Sequence, residues 1–261
     1  MATDAEPRDP VAPRAPGLLK MLLEARAPFE LGASLMAAPW LLSAPRGDGH
    51  PVLVYPGFLT SDLSTGPLRQ LLRALGHDAT GWQQGRNLGP RGDTLERALQ
   101  HLHDLQRTAG RKVSLVGWSL GGLYARELAK RAPEAVRCVV TMGSPFAGSM
   151  KANNAWRTYR WLRRGQPASP LAHADLQSPP PLPTTSIFSR SDGIVAWQCS
   201  VETASVLSES IEVTASHAGL GVNPFVLYAL ADRLAQPEGN WRPFDRGGVR
   251  AAFYPDPQRS A

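Results

Sequence analysis

The stretch Val113-Ser114-Leu115-Val116-Gly117-Trp118-Ser119-Leu120-Gly121-Gly122 decides how the rest of the chain is read. Val113–Val116 reads as a short buried strand. The chain then turns sharply at Gly-Trp-Ser-Leu-Gly and enters a helix near Leu123. A G-x-S-x-G run between a strand and a helix is the pattern of a nucleophile elbow, a strained turn that exposes a serine at the strand's carboxyl end. Gly117, Gly121 and Gly122 supply the absent side chains needed where strand and helix backbones nearly touch. Five positions with three fixed also occur by chance, and a serine in a tight turn can be merely structural. The flanking strand and helix make Ser119 the candidate nucleophile.

Outward from the elbow the chain alternates. Val52–Tyr55 reads as a buried strand, and Leu68, Leu71, Leu72 and Leu75 have helical spacing within Thr65–Leu75. A weak strand is expected over His77–Trp82. Asp93 with Glu96 three positions later predicts a capping box opening a helix along Leu95, Leu99, Leu102 and Leu105. Leu123–Arg131 is predicted as a helix, with Val136–Met142, Thr185–Phe188 and Ile211–Thr214 as strands. Asn223 and Pro224 open a last helix through Leu234. Such alternation predicts an α/β chain, a mostly parallel sheet covered on both faces. Functional residues of such sheets sit at the strands' carboxyl ends.

The 261 residues suffice for one large domain, and 43% hydrophobic content fits a globular core. Residues 1–16 carry four prolines and several charges and are expected to be a disordered tail. Residues 17–45 form an N-terminal helical segment, and 46–261 the main domain. Leu18, Leu19, Leu22 and Leu23 line one helical face. Packing on the domain is the expected use of that face, with membrane-surface contact as the alternative. Lys20, Glu24, Arg26, Glu30 and two prolines make the Leu18–Leu42 stretch a poor membrane span. The acidic, proline-rich start is unlike a secretory signal, which predicts a cytoplasmic protein. Two cysteines, Cys138 and Cys199, read as free thiols rather than a disulfide framework. No His/Cys cluster has metal-ligand spacing, so neither metal nor cofactor is expected. The formal charge is +6, yet no nucleic-acid-binding signature accompanies it, so nucleic acid is not expected as a partner.

A serine hydroxyl needs a base, and the usual base is a histidine oriented by a carboxylate. Of six histidines, His217 alone follows a predicted strand and precedes a helix. His50 lies at the wrong end of the first strand, His77 in a turn, His101 and His103 on a helix, and His173 in an irregular insert. The carboxylate is expected between serine and histidine in the chain. Asp192, in Ser189-Arg190-Ser191-Asp192-Gly193, follows a strand, and Gly193 permits a tight turn there. Asp175 lies within the proline-rich insert, while Glu202, Glu209 and Glu212 read as surface charges. Two backbone N–H groups should hold a developing oxyanion: Leu120, next to the nucleophile, and Phe58, after the first strand.

With these residues placed, the chain resembles the α/β-hydrolase fold, most of all bacterial triacylglycerol-type lipases and esterases and related GPI inositol-deacylase-like hydrolases. The matching pieces are Pro51–Phe58, Gly117–Gly122, Thr141-Met142-Gly143-Ser144-Pro145-Phe146-Ala147-Gly148, Ser191–Val195 and Ser216-His217. Pro56-Gly57 stands where such lipases often have His-Gly, and Phe146 where they often have histidine. The resemblance implies about six strands ordered 4-3-5-6-7-8 in the fold's own labels. It implies a Ser119–His217–Asp192 triad acting on a small-molecule or lipid ester through an acyl-enzyme, without cofactor or metal. It also puts a short lid at residues 146–183. There Trp156, Tyr159 and Arg163 share a helical face, in a stretch where arginines alternate with aromatics. Trp118, Phe146, Trp156, Tyr159 and Trp161 are the candidates for substrate pocket or lid. An acyltransferase or thioesterase could use the same triad, and a silent binding scaffold could keep the same fold.

Overall fold

The computed structural model describes residues 13–258, except 166, 168, 170, 172 and 173. His173 and nearly all of the expected disordered tail lie outside the described residues. Three short helices, α1 (Leu18–Leu22), α2 (Ala27–Met36) and α3 (Ala38–Leu41), precede β1 (Pro51–Tyr55). Then follow α4 (Gly66–Ala74), β2 (Asp78–Gly81), α5 (Thr94–Ala109), β3 (Val113–Trp118), α6 (Leu120–Arg131) and β4 (Val136–Met142). The short α7 (Trp156–Leu162), β5 (Thr184–Phe188), β6 (Ser208–Glu212) and α8 (Pro224–Leu234) complete the order.

The six strands form one sheet, ordered β2-β1-β3-β4-β5-β6, and every neighbouring pair is parallel. Alternate residues of a strand face opposite sides, and here each side has its own helices. Val52, Val54, Val116 and Val140 pack with Leu68 and Leu72 of α4 and Val226, Leu230 and Leu234 of α8. Leu53, Tyr55, Leu115 and Val139 pack with Leu95, Ala98 and Leu102 of α5 and Leu123, Tyr124 and Leu128 of α6.

Several boundaries shift from the sequence expectation, each for a local reason. Helix α6 begins at Leu120, immediately after the candidate nucleophile. Strand β6 begins at Ser208, because Ser208–Glu212 pairs with Thr184–Phe188; its apolar residues mark only its far end. Asp93 does sit at the N-cap of α5, but its side chain caps nothing and pairs with Arg97 instead. Asn223 caps α8 as expected, accepting from the N–H groups of Phe225 and Val226. Glu202, Glu209 and Glu212 are not surface charges. All three are buried, paired with Arg126, Arg233 and Arg190 respectively. A charged residue type alone cannot reveal that a distant arginine awaits it.

The N-terminal helices pack on the domain, but with the opposite face to the one their leucines suggest. Leu18, Leu19 and Leu22 are 66%, 72% and 62% exposed, while Lys20, Glu24, Arg26 and Glu30 reach inward to the loops after β5 and β6. The loops present unpaired backbone N–H and C=O groups, so charged side chains find partners there that leucines could not.

At the far end of the sheet, His50 and His77 meet edge to face, with ring centroids 4.9 Å apart. Both are buried, and neither ring nitrogen of His77 has a hydrogen-bond partner among the described residues. Burial, aided by the nearby charges of His50 and Arg137, pushes the His77 pKa down to about 4. Burial also lowers that of His50 despite its bond to Asp48. Unfolded histidine titrates near pH 6.5, so between that value and the folded one the unfolded chain binds more protons and stability rises with pH. The unfolding free energy from urea titration should therefore fall as pH drops from about 6.5 toward 4, by up to roughly 1.4 kcal/mol per pH unit from His77. His77→Asn should flatten that slope; an unchanged slope would contradict the assignment.

Candidate active site

Gly117, one residue before the end of β3, lies against the first turn of α6, and a Cβ there would collide with the backbone of Gly122. A Cβ on Gly121 would collide with the Tyr55 carbonyl oxygen, and one on Gly122 with the Ser144 hydroxyl. These approaches hold Ser119 at φ +52°, ψ −121°, a conformation rare outside glycine. Its N–H donates to the Met142 carbonyl at 2.8 Å, tying the elbow to the end of β4.

Asp192 follows β5 and His217 follows β6, and the structure brings them together: His217 Nδ1 lies 2.6 Å from Asp192 Oδ2. The other carboxylate oxygen, Oδ1, accepts from the N–H groups of Ile194 (2.8 Å) and Val195 (2.7 Å). Both residues are buried, and Gly143, at φ +56°, packs against the pair where a Cβ would meet the Leu220 side chain. Trp118 Nε1 donates to the His217 carbonyl at 3.1 Å, linking the elbow to the histidine loop. Burial alone would lower the His217 pKa. The adjacent Asp192 carboxylate, through charge and hydrogen bond, and then Glu24 outweigh it, so the imidazole titrates above its ordinary value. Ser119 Oγ and His217 are not hydrogen-bonded to each other; such bonds are commonly loose in unliganded sites.

Gly193 is glycine for a different reason from the tight turn expected of it. Its φ lies outside the left-handed region, and a Cβ would collide with the Lys20 carbonyl oxygen of α1. Asp175 remains outside the site, exposed and beside Lys130.

Phe58, Ser119 and Leu120 line one small cleft with Pro145, Asn153, Ala155, Trp156, Tyr159, Ile194 and Val195. The N–H groups of Phe58 and Leu120 have no acceptor among the described residues. Asn87, which the sequence reading passed over, shapes the Phe58 loop. Its buried Nδ2 donates to the Pro56 carbonyl at 2.8 Å, and its backbone exchanges 2.7 Å bonds with Leu59 and Thr60. Only its place in the Gly85-Arg86-Asn87-Leu88-Gly89 run hinted at a structural turn.

Of the five pocket and lid candidates, Trp156 and Tyr159 line the cleft. The other three do not. Trp118 turns into the core toward His217, Phe146 lies under the Arg126 guanidinium at 3.9 Å, and Trp161 is 61% exposed. A seven-residue helix has few inward positions, and Trp161 falls off the face that Trp156 and Tyr159 share. Tyr159 stands edge to face with Phe58 at 5.5 Å, and Arg163 donates to the Pro90 carbonyl. The cleft measures about 30 Å³, about the volume of one water molecule in the liquid.

Among the described residues no group of His, Cys, Asp and Glu side chains could hold a metal ion, and no helix is long and apolar enough to cross a membrane.

A family model of the alpha/beta hydrolase fold matches residues 64–179. Among solved structures, Aspergillus fumigatus lipase B aligns with a TM-score of 0.55 and 18% identity, over 74% of this chain and 54% of that one. This chain thus spans about half that lipase's length. The Paleococcus ferrophilus monoacylglycerol lipase aligns with a TM-score of 0.53 and 19% identity, over 74% and 96% of the two chains. A thioesterase domain from the curacin biosynthetic pathway gives 0.50 and 14%, over 71% and 92%. No curated protein matches the sequence. The chain has the α/β-hydrolase fold, with a six-stranded parallel sheet and helices on both sides.

Proposed function

We propose that this chain is a serine hydrolase that cleaves carboxylic esters through Ser119, His217 and Asp192. The observation that carries the reading is the 2.6 Å bond between His217 Nδ1 and Asp192 Oδ2, beside an elbow serine held at positive φ. In the proposed reaction His217 Nε2 takes the Ser119 proton as Oγ attacks the ester carbonyl. The Phe58 and Leu120 N–H groups hold the oxyanion. Collapse expels the alcohol, which receives the proton from His217. Water, deprotonated by the same nitrogen, then attacks the acyl-enzyme and releases the acid. The motifs shared with bacterial lipases and inositol-deacylase-like hydrolases point the same way.

The small volume of the cleft favours short acyl groups. p-Nitrophenyl acetate or butyrate should be turned over with at least about tenfold higher kcat/KM than the laurate ester, since even one methylene that a pocket cannot seat costs about 1–3 kcal/mol. Tyr159→Ala should narrow that gap by opening the cleft. Fastest turnover of the laurate ester by the unaltered protein would argue for a lipase with a mobile lid. Preference for acyl thioesters over the matching oxygen esters would favour the thioesterase reading, transfer to an added alcohol in place of water the acyltransferase one, and no turnover of any of them a silent scaffold.

The outward leucines of α1, with Phe29, Leu35 and Met36 of α2 also exposed, fit the acyl boundary of a lipid surface. In this reading the chain works in the cytoplasm, where Cys138 and Cys199 stay reduced, and touches membranes peripherally. Vesicle co-sedimentation should fall several-fold on Leu19→Ser with Leu22→Ser; equal sedimentation of the two proteins would eliminate this contact.

A further inference from the structure

The charged face of the N-terminal segment meets both loops that carry the acid and the base. Glu24 Oε1 accepts from the Gly193 N–H at 2.7 Å and the His217 N–H at 2.9 Å, and its Oε2 accepts from the Ala218 N–H at 2.8 Å. Glu30 Oε1 accepts from the Ser216 N–H at 2.8 Å and from Arg26 Nε at 2.9 Å. Arg26 in turn donates to Ser191 Oγ at 2.7 Å, and Lys20 Nζ to the Arg190 carbonyl at 2.8 Å. The segment sits flush because two glycines admit it. A Cβ on Gly193 would strike the Lys20 carbonyl, and one on Gly219 the Glu30 carboxylate. Neither glycine has a left-handed φ, so close approach alone demands them.

We propose that Glu24 is a positioning residue for the site, its carboxylate locking the Asp192 loop to the His217 loop, with Glu30 as a second strut. The inference rests on the hydrolase reading above. Asp192 and His217 are 25 residues apart and sit on separate loops, so their bond depends on how the loops are held. Glu24 bonds the residue after Asp192, His217 itself and the residue after it, through one rigid group. Charge-assisted bonds of this kind are roughly twice as strong as neutral ones. A shift of about 1 Å at a reacting group can cost about 10²-fold in rate. Glu24 also places a negative charge near the imidazole, adding to that of Asp192. The other charged groups facing these loops are Glu30, which pairs with Arg26, and Lys20, which is directed at the Arg190 carbonyl.

The test uses the full chain with Glu24→Ala and Glu24→Gln, read by butyrate-ester kinetics and by NMR titration of the His217 imidazole. Glu24→Ala should lower kcat about 10- to 100-fold with KM changed less than about threefold, and should lower the His217 pKa. Glu24→Gln keeps an acceptor oxygen for two of the three N–H groups but no charge. It should restore most of kcat while leaving the His217 pKa low, a split that a merely structural tether would not produce. If the alanine variant does not fold, Glu24→Asp decides, because its shorter stem cannot reach all three N–H groups: a kcat lowered several-fold with KM little changed supports the proposal. Wild-type kcat and titration in whichever variants fold would overturn it. If ester turnover by the unaltered protein proves absent or independent of Ser119, the hydrolase reading fails by itself. The titration still decides whether Glu24 governs the Asp192–His217 pair.

Discussion

Asp192→Asn should leave a folded protein whose ester turnover is lower by about 10⁴-fold. The reason lies in the donors around the carboxylate. Oδ1 takes N–H bonds from Ile194 and Val195, and Oδ2 takes His217 Nδ1. All three neighbours can donate, and an asparagine has one acceptor oxygen. If that oxygen stays with the two backbone N–H groups, the amide NH₂ faces Nδ1 and becomes the donor. His217 then carries its proton on Nε2, the nitrogen that must be free to take the Ser119 proton. Ser119→Ala should cost more, about 10⁶-fold in kcat, and adding His217→Ala should cost little beyond that, because the residues act as a unit. The measurement is steady-state turnover of a short p-nitrophenyl ester, with circular dichroism to confirm folding. Multiplicative losses in the double variant would contradict a shared role.

The second large effect is on stability. Arg126→Met should cost about 3–5 kcal/mol, the usual result of leaving a buried charge without its partner. Arg126 and Glu202 are both fully buried and paired in a bidentate fashion. The same guanidinium donates to the Leu176 carbonyl at 2.7 Å, Gln177 at 3.1 Å and Ser178 at 3.0 Å, and covers the Phe146 ring. One side chain of α6, the helix that starts at the elbow, thus anchors the returning end of the insert and the segment between β5 and β6. Urea unfolding read by tryptophan fluorescence would show the loss. Arg126→Met with Glu202→Met should recover part of it, since the orphaned carboxylate is gone while the insert carbonyls stay unpaired. A single variant within about 0.5 kcal/mol of the unaltered protein would refute this anchoring role.

What could be read from the chain followed from local pattern. The parallel sheet was legible because its central strands β1, β3 and β4 are short, mostly apolar runs between helical leucine spacings, and because crossover connections leave few alternatives. Ser119, Asp192 and His217 stood out because each follows a strand, and the structure places the last two within a hydrogen bond. Roles that need a distant partner were invisible. Glu202 reads as solvated unless Arg126 is known to face it, and Glu24 reads as an ordinary helix charge unless the loops after β5 and β6 are in view. Leucine periodicity pointed α1 the wrong way round, since the surface it meets is a pair of loops rich in backbone donors. Periodicity reports which face is apolar, not which face a neighbour needs.

Covalent labelling reads out directly whether Ser119 is chemically activated. A fluorophosphonate probe should attach to a single peptide of the intact chain, at Ser119, and labelling should collapse in the His217→Ala variant. A probe that leaves Ser119 unmodified, or that marks another serine at equal rate, would contradict the account.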